Sequence, residues 1–359
     1  MKPTVCYGEI MARFSPPDHL RIAQAMPGLM EVAFAGAEAN AAVAVAQLGG
    51  RAEFVSALPC NPIADAAVAS LRGAGVGVDR LVRSKAGRCG LYFVETGASQ
   101  RGGLVVYDRE GSAFALAEAR EYAWPEILAD AGWFHTSGIA AGVSRVAADA
   151  TREAVKAARR AGVTVSCDLN FRRKLWRWEP GVAPEALARR TLATILPDVD
   201  VLIGNSQDLA DTIGEEFEAV PAGGLEAHTA LAARVGARWP HLSWIAMTLR
   251  QSHSANHNKW GALLFRPRDG AVFSAPQEDG RYAPYDIQGI VDRVGTGDVF
   301  AGALIFALQT PDLAEPSRAL SFAAAASCLA HSTKNDFFHG SRAEVEVLIN
   351  GDGVGHVSR

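Results

Sequence analysis

The sequence predicts an α/β fold in which a central, mostly parallel β-sheet is flanked by helices and carries a small antiparallel β lid. From residue 132 onward, short apolar segments alternate with segments of helical periodicity, which is typical of parallel strands buried under helices. Residues 91–94 and 104–107 are β segments separated by glycines with no helix between them, which predicts an antiparallel hairpin. Glycine-rich turns near residues 36 and 295 each lead into an apolar helix.

The N-terminal part of the chain supplies the first strands and the lid. An alanine-rich helix over 39–48 is predicted to end at Gly49-Gly50, because glycine readily adopts the left-handed conformation that terminates helices. Prolines interrupt residues 11–34, and we assign this segment to the lid together with 87–118. The other predicted elements of this part are a strand over 5–9, a strand over 53–58 and a helix over 62–74.

The rest of the chain is predicted to complete the parallel sheet and its helices. Residues 251–261 are expected to form an enlarged turn, and the chain from Gly351 onward a loose tail. No repeat or change of composition divides the sequence, so residues 1–359 are expected to form one domain. The predicted strands cover 133–136, 163–167, 199–203 and 244–250, and the predicted helices cover 145–160, 184–195, 206–213 and 314–331.

Composition favours a small-molecule partner. The chain has 359 residues and 49% of them are hydrophobic, which is ample material for a core. The formal net charge is −4 and the basic residues are dispersed, which argues against a nucleic-acid surface.

Cysteine usage and hydropathy indicate the compartment. Five cysteines lie far apart with no C-x-x-C, as is typical of a reducing compartment. The first residues lack the apolar segment of a signal peptide, and no run of 18 apolar residues free of charge would span a membrane. We therefore expect a cytoplasmic protein that does not bind membranes.

The segment Gly295-Thr296-Gly297-Asp298 carries the chemistry. The first N–H groups of a helix have no intrahelical partner and attract anions, and glycine lets a phosphate approach the backbone closely. A carboxylate beside such an anion hole needs another role, and the natural one is to accept the proton of a hydroxyl that attacks phosphorus. The alternative is that Asp298 only caps the helix.

Two motifs carry a family resemblance. Residues 292–303 read D-x-x-G-T-G-D-x-F-x-G-A, which resembles the C-terminal signature of the PfkB/ribokinase family of carbohydrate kinases. Residues 35–44 resemble the family's N-terminal signature, with Ala35 where a glycine is usual. The resemblance covers nearly the whole chain and implies a ribokinase-like fold, with ATP and Mg²⁺ as cofactors. It also implies that Gly36 and Asn40 bind sugar hydroxyls, although Asn40 has the alternative role of a helix-start hydrogen bonder.

Other residues resemble the branch of the family that phosphorylates 2-keto-3-deoxygluconate. In that branch a lid tyrosine and an arginine help to hold the carboxylate of the sugar acid, and a guanidinium suits a planar carboxylate because two N–H donors meet two oxygens. The alternative for Arg109 is that it is a solvated charge at a strand edge. The alternative for Arg172 is that it belongs to a basic loop that steers phosphate without a specific contact. The residues that the resemblance assigns to substrate are Tyr92, Tyr107, Arg109, Ile139 and Arg172.

The resemblance also implies a nucleotide side. Asp208 is expected to act on Mg²⁺ through ordered water, with the alternative that it only takes part in capping a helix. A monovalent cation such as K⁺ is expected near Asp292. His253 and His257 are four residues apart, but no neighbouring acid in the sequence completes a metal site. The residues assigned to nucleotide are Asn205, Asp208, Thr248, Arg250, Gly295, Gly297 and Asn335.

The sequence therefore predicts an ATP-dependent kinase for the C6 hydroxyl of 2-keto-3-deoxygluconate, with Asp298 as general base and Gly295, Thr296 and Gly297 as anion hole. A homo-oligomer, a dimer or higher, is expected. Two alternatives are a related kinase for a neutral sugar such as fructose or ribose, and a sensing protein that kept the fold and lost turnover. A nicotinamide dehydrogenase is disfavoured, because no G-x-G-x-x-G follows the first strand.

Overall fold

The computed structural model describes residues 1–214, 217–218, 220 and 224–351. All but the first residue of the predicted tail therefore lies outside the described residues. The strands are β1 (Thr4–Tyr7), β2 (Met11–Ser15), β3 (Glu31–Ala35), β4 (Ala52–Val55), β5 (Ala57–Pro59), β6 (Val82–Ser84), β7 (Gly90–Glu95), β8 (Leu104–Asp108), β9 (Trp133–Ser137), β10 (Thr164–Asp168), β11 (Val201–Gly204), β12 (Trp244–Ser254), β13 (His257–Arg266), β14 (Ala271–Ala275), β15 (Gln277–Glu278), β16 (Arg281–Tyr282) and β17 (Tyr285–Gln288).

The helices match the predicted ones closely, and several short helices are added to them. They are α1 (Ile22–Ala25), α2 (Ala37–Gln47), α3 (Pro62–Gly73), α4 (Ala113–Leu116), α5 (Trp124–Leu128), α6 (Gly138–Gly142), α7 (Arg145–Arg160), α8 (Pro184–Leu192), α9 (Ser206–Thr212), α10 (Leu225–Arg238), α11 (Thr296–Gln309), α12 (Pro316–Ala330) and α13 (Arg342–Ile349).

A nine-stranded sheet forms the centre of the described structure. Its order is β14-β13-β12-β11-β10-β9-β1-β4, and β17 pairs with β13. All pairs from β12 to β4 are parallel, whereas β13 pairs antiparallel with β12, β14 and β17. The mostly parallel sheet predicted from the sequence is therefore confirmed.

Helices cover both faces of this sheet. Neighbouring residues of one strand belong to opposite hydrophobic clusters, as Leu202 does relative to Val201 and Ile203. On one face α11 lies against α2 at close range, since a Cβ added at Gly302 would lie 2.5 Å from the carbonyl oxygen of Ala41. This close approach brings the two glycine-rich turns at the helix N-termini to the same edge of the sheet.

A second, small sheet has the order β3-β2-β7-β8. The outer two pairs are antiparallel, as predicted for the lid, but the central pair β2–β7 is parallel. The predicted antiparallel pairing is confirmed for the β7–β8 hairpin, whereas β2–β7 is parallel because β2 comes from the N-terminal segment and not from the hairpin. Arg13, Tyr92 and Tyr107 form a cross-strand row on one face of the small sheet.

Two local predictions need correction. Residues 251–261 form the outer part of the β12–β13 hairpin and not an enlarged turn. At the hairpin tip the N–H of Ala255 donates to the carbonyl oxygen of Ser99 at 2.8 Å, so the hairpin contacts the loop between β7 and β8. The strand predicted over 53–58 is two strands, β4 and β5, and they belong to different sheets.

In the described part of the chain no helix is long and apolar enough to cross a membrane.

Candidate active site

A cavity of about 590 Å³ lies beyond the carboxyl ends of the parallel strands. This is where α/β sheets usually bind their ligands, because the loops and helix N-termini converge there. Most of the predicted site residues line it, although they come from distant parts of the chain. They are Gly36, Asn40, Tyr92, Tyr107, Arg109, Ile139, Arg172, Asn205, Asp208, Thr248, Arg250, Gly295, Thr296, Gly297 and Asp298.

Two predicted residues, Asp292 and Asn335, are not among the residues that line the cavity. Asn335 has φ of +69°, the left-handed conformation that glycine and asparagine tolerate best. That backbone requirement accounts for an asparagine at this position. The Asp292 carboxylate is 4% exposed and accepts a hydrogen bond from Arg13.

The turn before α11 is fixed by its own contacts. Gly295 is the N-cap residue with φ of +84°, and a Cβ there would lie 2.8 Å from the carbonyl oxygen of Asp336. A Cβ added at Gly297 would meet no atom within 4 Å. Gly295 is therefore required by the fold, whereas Gly297 leaves open space at the helix N-terminus, where N–H groups attract anions.

Asp298 accepts hydrogen bonds from two other elements. Nδ2 of Asn40 donates to Oδ2 at 2.7 Å, and Nδ2 of Asn170 donates to Oδ1 at 3.2 Å. The N-cap residue of α11 is Gly295, and both oxygens of Asp298 are held by side-chain amides. The carboxylate is thus oriented from α2 and from the segment after β10, an arrangement that helix capping alone does not require.

The electrostatic surroundings make Asp298 a stronger base than an ordinary aspartate. Its pKa is raised to about 7, chiefly because burial disfavours the charged form, while the Asn40 amide and the Arg172 guanidinium oppose the rise. The carboxylates of Asp336 and Glu38 raise the pKa further. A base with a pKa close to the working pH is well matched to accepting a proton from a hydroxyl.

Comparison with known proteins decides the family. The sequence profile described as pfkB family carbohydrate kinase matches residues 1–238. The chain belongs to this family. The 2-dehydro-3-deoxygalactonokinase of Haloferax volcanii is 31% identical over 352 residues, which cover 98% of this chain and 98% of that protein. The 2-dehydro-3-deoxygluconokinase of Bacillus subtilis is 26% identical over 306 residues, which cover 84% of this chain and 81% of that protein.

The similarity extends to a solved structure. The crystal structure of 2-dehydro-3-deoxygluconokinase from Thermotoga maritima has a TM-score of 0.87 to this chain at 40% identity, and the match covers 98% of this chain and 100% of that one. The ribokinase-like fold and the carbohydrate kinase activity predicted from the sequence are confirmed. As a carbohydrate kinase of this family, the protein takes ATP as its phosphoryl donor.

A buried ion pair holds Arg109 at the cavity wall. Nε of Arg109 donates to Oε2 of Glu9 at 2.6 Å, and both side chains are almost fully buried. Nη2 of Arg109 is buried without a hydrogen-bond partner in the described structure. Unpaired buried donors are costly and Arg109 lines the cavity, so its guanidinium is a candidate for a ligand contact.

The other lining residues of the kinase differ in how far they are already engaged. Tyr92 is 3% exposed and its hydroxyl donates to Oδ2 of Asp336 at 3.0 Å. Tyr107 lies beside it, with ring centroids 6.4 Å apart. Nη1 of Arg172 donates to the carbonyl oxygen of Phe171 at 3.2 Å, and nearby acidic groups, opposed by burial, raise the pKa of Arg172.

The structure supports the capping alternative for Asp208. Asn205 is the N-cap of α9 and forms a capping box with Asp208: Oδ1 of Asn205 accepts the N–H of Asp208 at 3.0 Å, and Oδ2 of Asp208 accepts the N–H of Asn205 at 3.4 Å. Nδ2 of Asn205 also donates to Oδ2 of Asp208 at 2.6 Å. Asp208 also accepts the N–H of Phe171 at 3.1 Å. Its pKa is raised by burial, which the Arg172 guanidinium opposes. Capping leaves Asp208 on the cavity wall, so a second role is compatible with it.

The donor set fits a magnesium ion that arrives with the nucleotide. No group of three His, Cys, Asp or Glu side chains in the described ranges is placed to hold a metal ion. Magnesium usually binds through one or two carboxylates, waters and substrate phosphates, so a full protein cage is not needed. Burial and the nearby charges of Asp208 and Asp298 raise the pKa of Asp168, which shows that acidic groups gather at this wall.

The two histidines of the β12–β13 hairpin lie together, with ring centroids 4.6 Å apart. An acid that is distant in the sequence is close by in the fold, since Nε2 of His257 lies 2.6 Å from Oδ1 of Asp286. The three residues do not form a metal-holding group among those described. The metal alternative gains no support.

Sequence reasoning missed Asn170, Asp336, Arg13, Glu9 and Glu38. Asn170 lies two residues before Arg172, and Asp336 directly follows Asn335; both neighbours were predicted site residues, so a signal was visible. Nothing in the sequence signalled the buried contacts of the other three, because their partners are distant in the chain.

Proposed function

We propose that the kinase transfers the γ-phosphoryl group of ATP to the C6 hydroxyl of 2-keto-3-deoxygluconate. The observation that carries the proposal is the buried Nη2 of Arg109, a residue that lines the cavity; this nitrogen has no partner in the described structure. A sugar acid offers the carboxylate that would pair with it, whereas a neutral sugar does not. The names of the similar proteins from Haloferax volcanii, Bacillus subtilis and Thermotoga maritima support the same class of acceptor.

Asp298 is the proposed general base. It accepts the proton of the C6 hydroxyl as that oxygen bonds to the γ-phosphorus, while the bond to the β–γ bridging oxygen breaks and ADP leaves. The amides of Asn40 and Asn170 hold the carboxylate toward the hydroxyl. Gly36 and Asn40 also contact the sugar hydroxyls, and Ile139 forms part of the sugar pocket wall.

The acid end of the sugar is assigned to the small sheet and to the loop after β10. Arg109 and Arg172 neutralise the carboxylate, and Tyr92 and Tyr107 orient it. Two guanidinium-bearing residues in the lining of one cavity favour an anionic substrate over a neutral one of the same size. The small sheet, with residues 11–34 and 87–118, would act as a lid within a single domain and exclude water from ATP.

The nucleotide end is assigned to the turn and to β12. Backbone N–H groups of Gly295, Thr296 and Gly297 meet the transferred phosphoryl group, and Arg250 offsets phosphate charge. Asn205, Asp208 and Thr248 complete this end, with Asp208 reaching magnesium through ordered water. When bound with ATP, the metal would neutralise phosphate charge and fix the phosphate geometry. A nucleotide contact from Asn335 stays a prediction, and Asn335 is not among the residues that line the cavity.

We also propose a homo-oligomer, at least a dimer, that covers the outer face of the small sheet. Val32, Phe14, Phe93 and Val106 form one cross-strand row on that face. Val32 is 56% exposed and Val106 is 44% exposed. An apolar row of this kind is well suited to pairing with the same row of a second copy. Analytical ultracentrifugation of the natural chain and of Val106→Glu tests this proposal. We expect the natural chain to sediment as an oligomer and Val106→Glu as a smaller species, and a monomeric natural chain would refute the proposal.

A cytoplasmic location is proposed as well. All five cysteines fall within the described residues, and each of them is a free thiol. Free, mostly buried thiols are usual where the surroundings are reducing.

A coupled assay of ADP formation tests the acceptor. The panel contains 2-keto-3-deoxygluconate, its galactonate epimer, gluconate, fructose and ribose, and phosphorus NMR of the product locates the new ester. We expect the highest kcat/KM with a 2-keto-3-deoxy sugar acid and an ester at C6. Preference for fructose or ribose would overturn the proposal in favour of a neutral-sugar kinase. ATP and sugar binding without turnover would favour a sensing protein.

A further inference from the structure

Arg13 forms a buried charge bridge between the small sheet and the turn before α11. The residue lies on β2 and is 1% exposed. Its Nη2 donates to Oδ2 of Asp292 at 2.5 Å, and its Nη1 donates to Oδ1 of Asp336. Both acids are almost fully buried, so one guanidinium is shared by two carboxylates away from water.

Both acids contact the turn before α11, which is proposed to bind phosphate. Oδ1 of Asp292 accepts the N–H of Val294 at 3.0 Å, which holds the turn at its start. Asp336 packs directly against the turn. A Cβ added at Gly295 would lie only 2.8 Å from the carbonyl oxygen of Asp336. Asp336 also accepts the Tyr92 hydroxyl, so both central strands of the small sheet reach this acid.

The residues present do not fit the monovalent cation that the family resemblance implied at Asp292. Oδ1 of Asp292 is held by a backbone N–H, and Oδ2 lies 2.5 Å from the Arg13 guanidinium, whose positive charge would repel a cation placed at this carboxylate. The guanidinium already provides the positive charge that two buried carboxylates require. It also differs from a bound ion in being covalently part of the small sheet.

We propose that Arg13 is a positioning residue that serves as the fixed cation of the phosphate-binding turn. It holds Asp292 and Asp336 in place from β2, so that the small sheet and the N–H groups of the turn assemble together. Turnover then requires no added monovalent cation. The inference rests on the proposed role of the turn, but not on which sugar is the acceptor.

The first test uses the natural chain. ADP formation is measured with the best acceptor of the panel in a tetramethylammonium buffer, with and without about 100 mM K⁺ or Na⁺. We expect kcat to change by less than about twofold. Since no variant is involved, misfolding cannot obscure the result. A loss of about tenfold or more without K⁺ would overturn the inference while leaving the kinase proposal intact.

The second test compares Arg13→Ala, Arg13→Lys and a control, Arg83→Ala, which removes an exposed ion pair with Asp65. We expect Arg13→Ala to lower kcat by about 100-fold with little change in the KM for the sugar, because the turn loses its alignment. Guanidinium ion at low millimolar concentration should restore part of kcat, a response that a merely structural role would not give.

If Arg13→Ala does not fold, the double variant Arg13→Met/Asp336→Asn removes one charge from each side and takes its place. Thermal unfolding checks folding in every case. A folded Arg13 variant that keeps full kcat would refute the inference. So would a loss of kcat that neither guanidinium nor the lysine variant restores.

Discussion

Nδ2 of Asn40 donates a hydrogen bond to Oδ2 of Asp298 at 2.7 Å, across the contact between α2 and α11. The contact is possible because Gly302 lets α11 approach the backbone of Ala41. Asn40 lies in the first turn of α2, next to the glycine turn assigned to the sugar. The helix that is proposed to bind the sugar therefore also orients the proposed base, and displacement of one is expected to disturb the other.

The pH dependence of turnover follows from the pKa of Asp298, which is raised to about 7. A base works only when deprotonated, so kcat/KM should fall about tenfold per pH unit below about pH 7 and level off above it. Initial rates of ADP formation at saturating ATP check this. Asp298→Asn should lose about 100-fold or more of the activity, and its kcat/KM should not show this fall below about pH 7. A plateau that extends to pH 5 would contradict the assignment.

Asn40→Ala should shift the fall in kcat/KM to higher pH. The Asn40 amide lowers the pKa of Asp298, because its N–H donates to the charged form. Without it, the carboxylate keeps its proton to a higher pH, and the midpoint of the profile rises. Asn61→Ala, which removes the N-cap of α3 outside the cavity lining, is the matched control and should leave the midpoint unchanged. An unchanged midpoint in Asn40→Ala would mean that the Asn40 amide does not lower the pKa of Asp298.

Two glycines of one turn should respond in opposite ways to alanine. At Gly295, φ is +84° and a Cβ would lie 2.8 Å from a backbone oxygen, so Gly295→Ala should cost about 1–3 kcal/mol of the free energy of unfolding. At Gly297 a Cβ meets open space, so Gly297→Ala should fold normally. Its methyl group would occupy the place proposed for phosphate, and kcat/KM for ATP should fall about 10-fold or more.

Urea unfolding and steady-state kinetics on both variants distinguish the two effects. The result that contradicts this interpretation is a Gly297→Ala enzyme with unchanged kinetics. It would mean that the open space at Gly297 is not used by the nucleotide.

Arg109→Lys should weaken binding of a sugar acid selectively. Lysine keeps the charge but loses the planar donors, one of which binds Glu9 and another of which is proposed to bind the carboxylate of the sugar acid. We expect the KM for the sugar acid to rise about 10-fold or more, while the KM for ATP stays constant. Arg88→Lys, at the exposed edge of the small sheet, is the control. Equal effects on both substrates would argue for a general loss of folding.

The local parts of the fold and site were predictable from the sequence because their causes are local. Helix bounds followed from caps and periodicity, and the turns at Gly36 and Gly295 followed from glycine before an apolar helix. The prediction for residues 251–261 was wrong because polar side chains in a row are typical of a turn. In the fold the segment is stabilised by pairing between β12 and β13, which a polar composition does not reveal.

The buried charges were not predictable for a different reason. Arg13 meets Asp292 and Asp336 across 279 and 323 positions of sequence, and Arg109 meets Glu9 across 100. An isolated charged residue in a strand pattern indicates a solvent-facing position, since charges are rarely buried unpaired. Only the packing of the small sheet on the main sheet supplies the partners.

Glu38 gives the last prediction, which concerns stability. The side chain is fully buried, accepts a hydrogen bond from the Ser137 hydroxyl at Oε1, and has no described partner at Oε2. Burial raises its pKa to about 7 from an ordinary value of 4.5. The folded state therefore holds the proton more tightly than the unfolded state, so this group's contribution is complete below about pH 4.5 and is lost as pH rises through about 7.

Glu38→Gln removes the cost of ionising this buried group and keeps the acceptor for Ser137. We expect the free energy of unfolding to rise by up to about 3 kcal/mol at pH 8 and to change little at pH 5, as measured by urea unfolding at the two pH values. Glu126→Gln, on the exposed surface of α5, should change neither value. A variant that is destabilised equally at both pH values would mean that the Glu38 carboxylate is charged in the native state and that its burial is compensated by a partner.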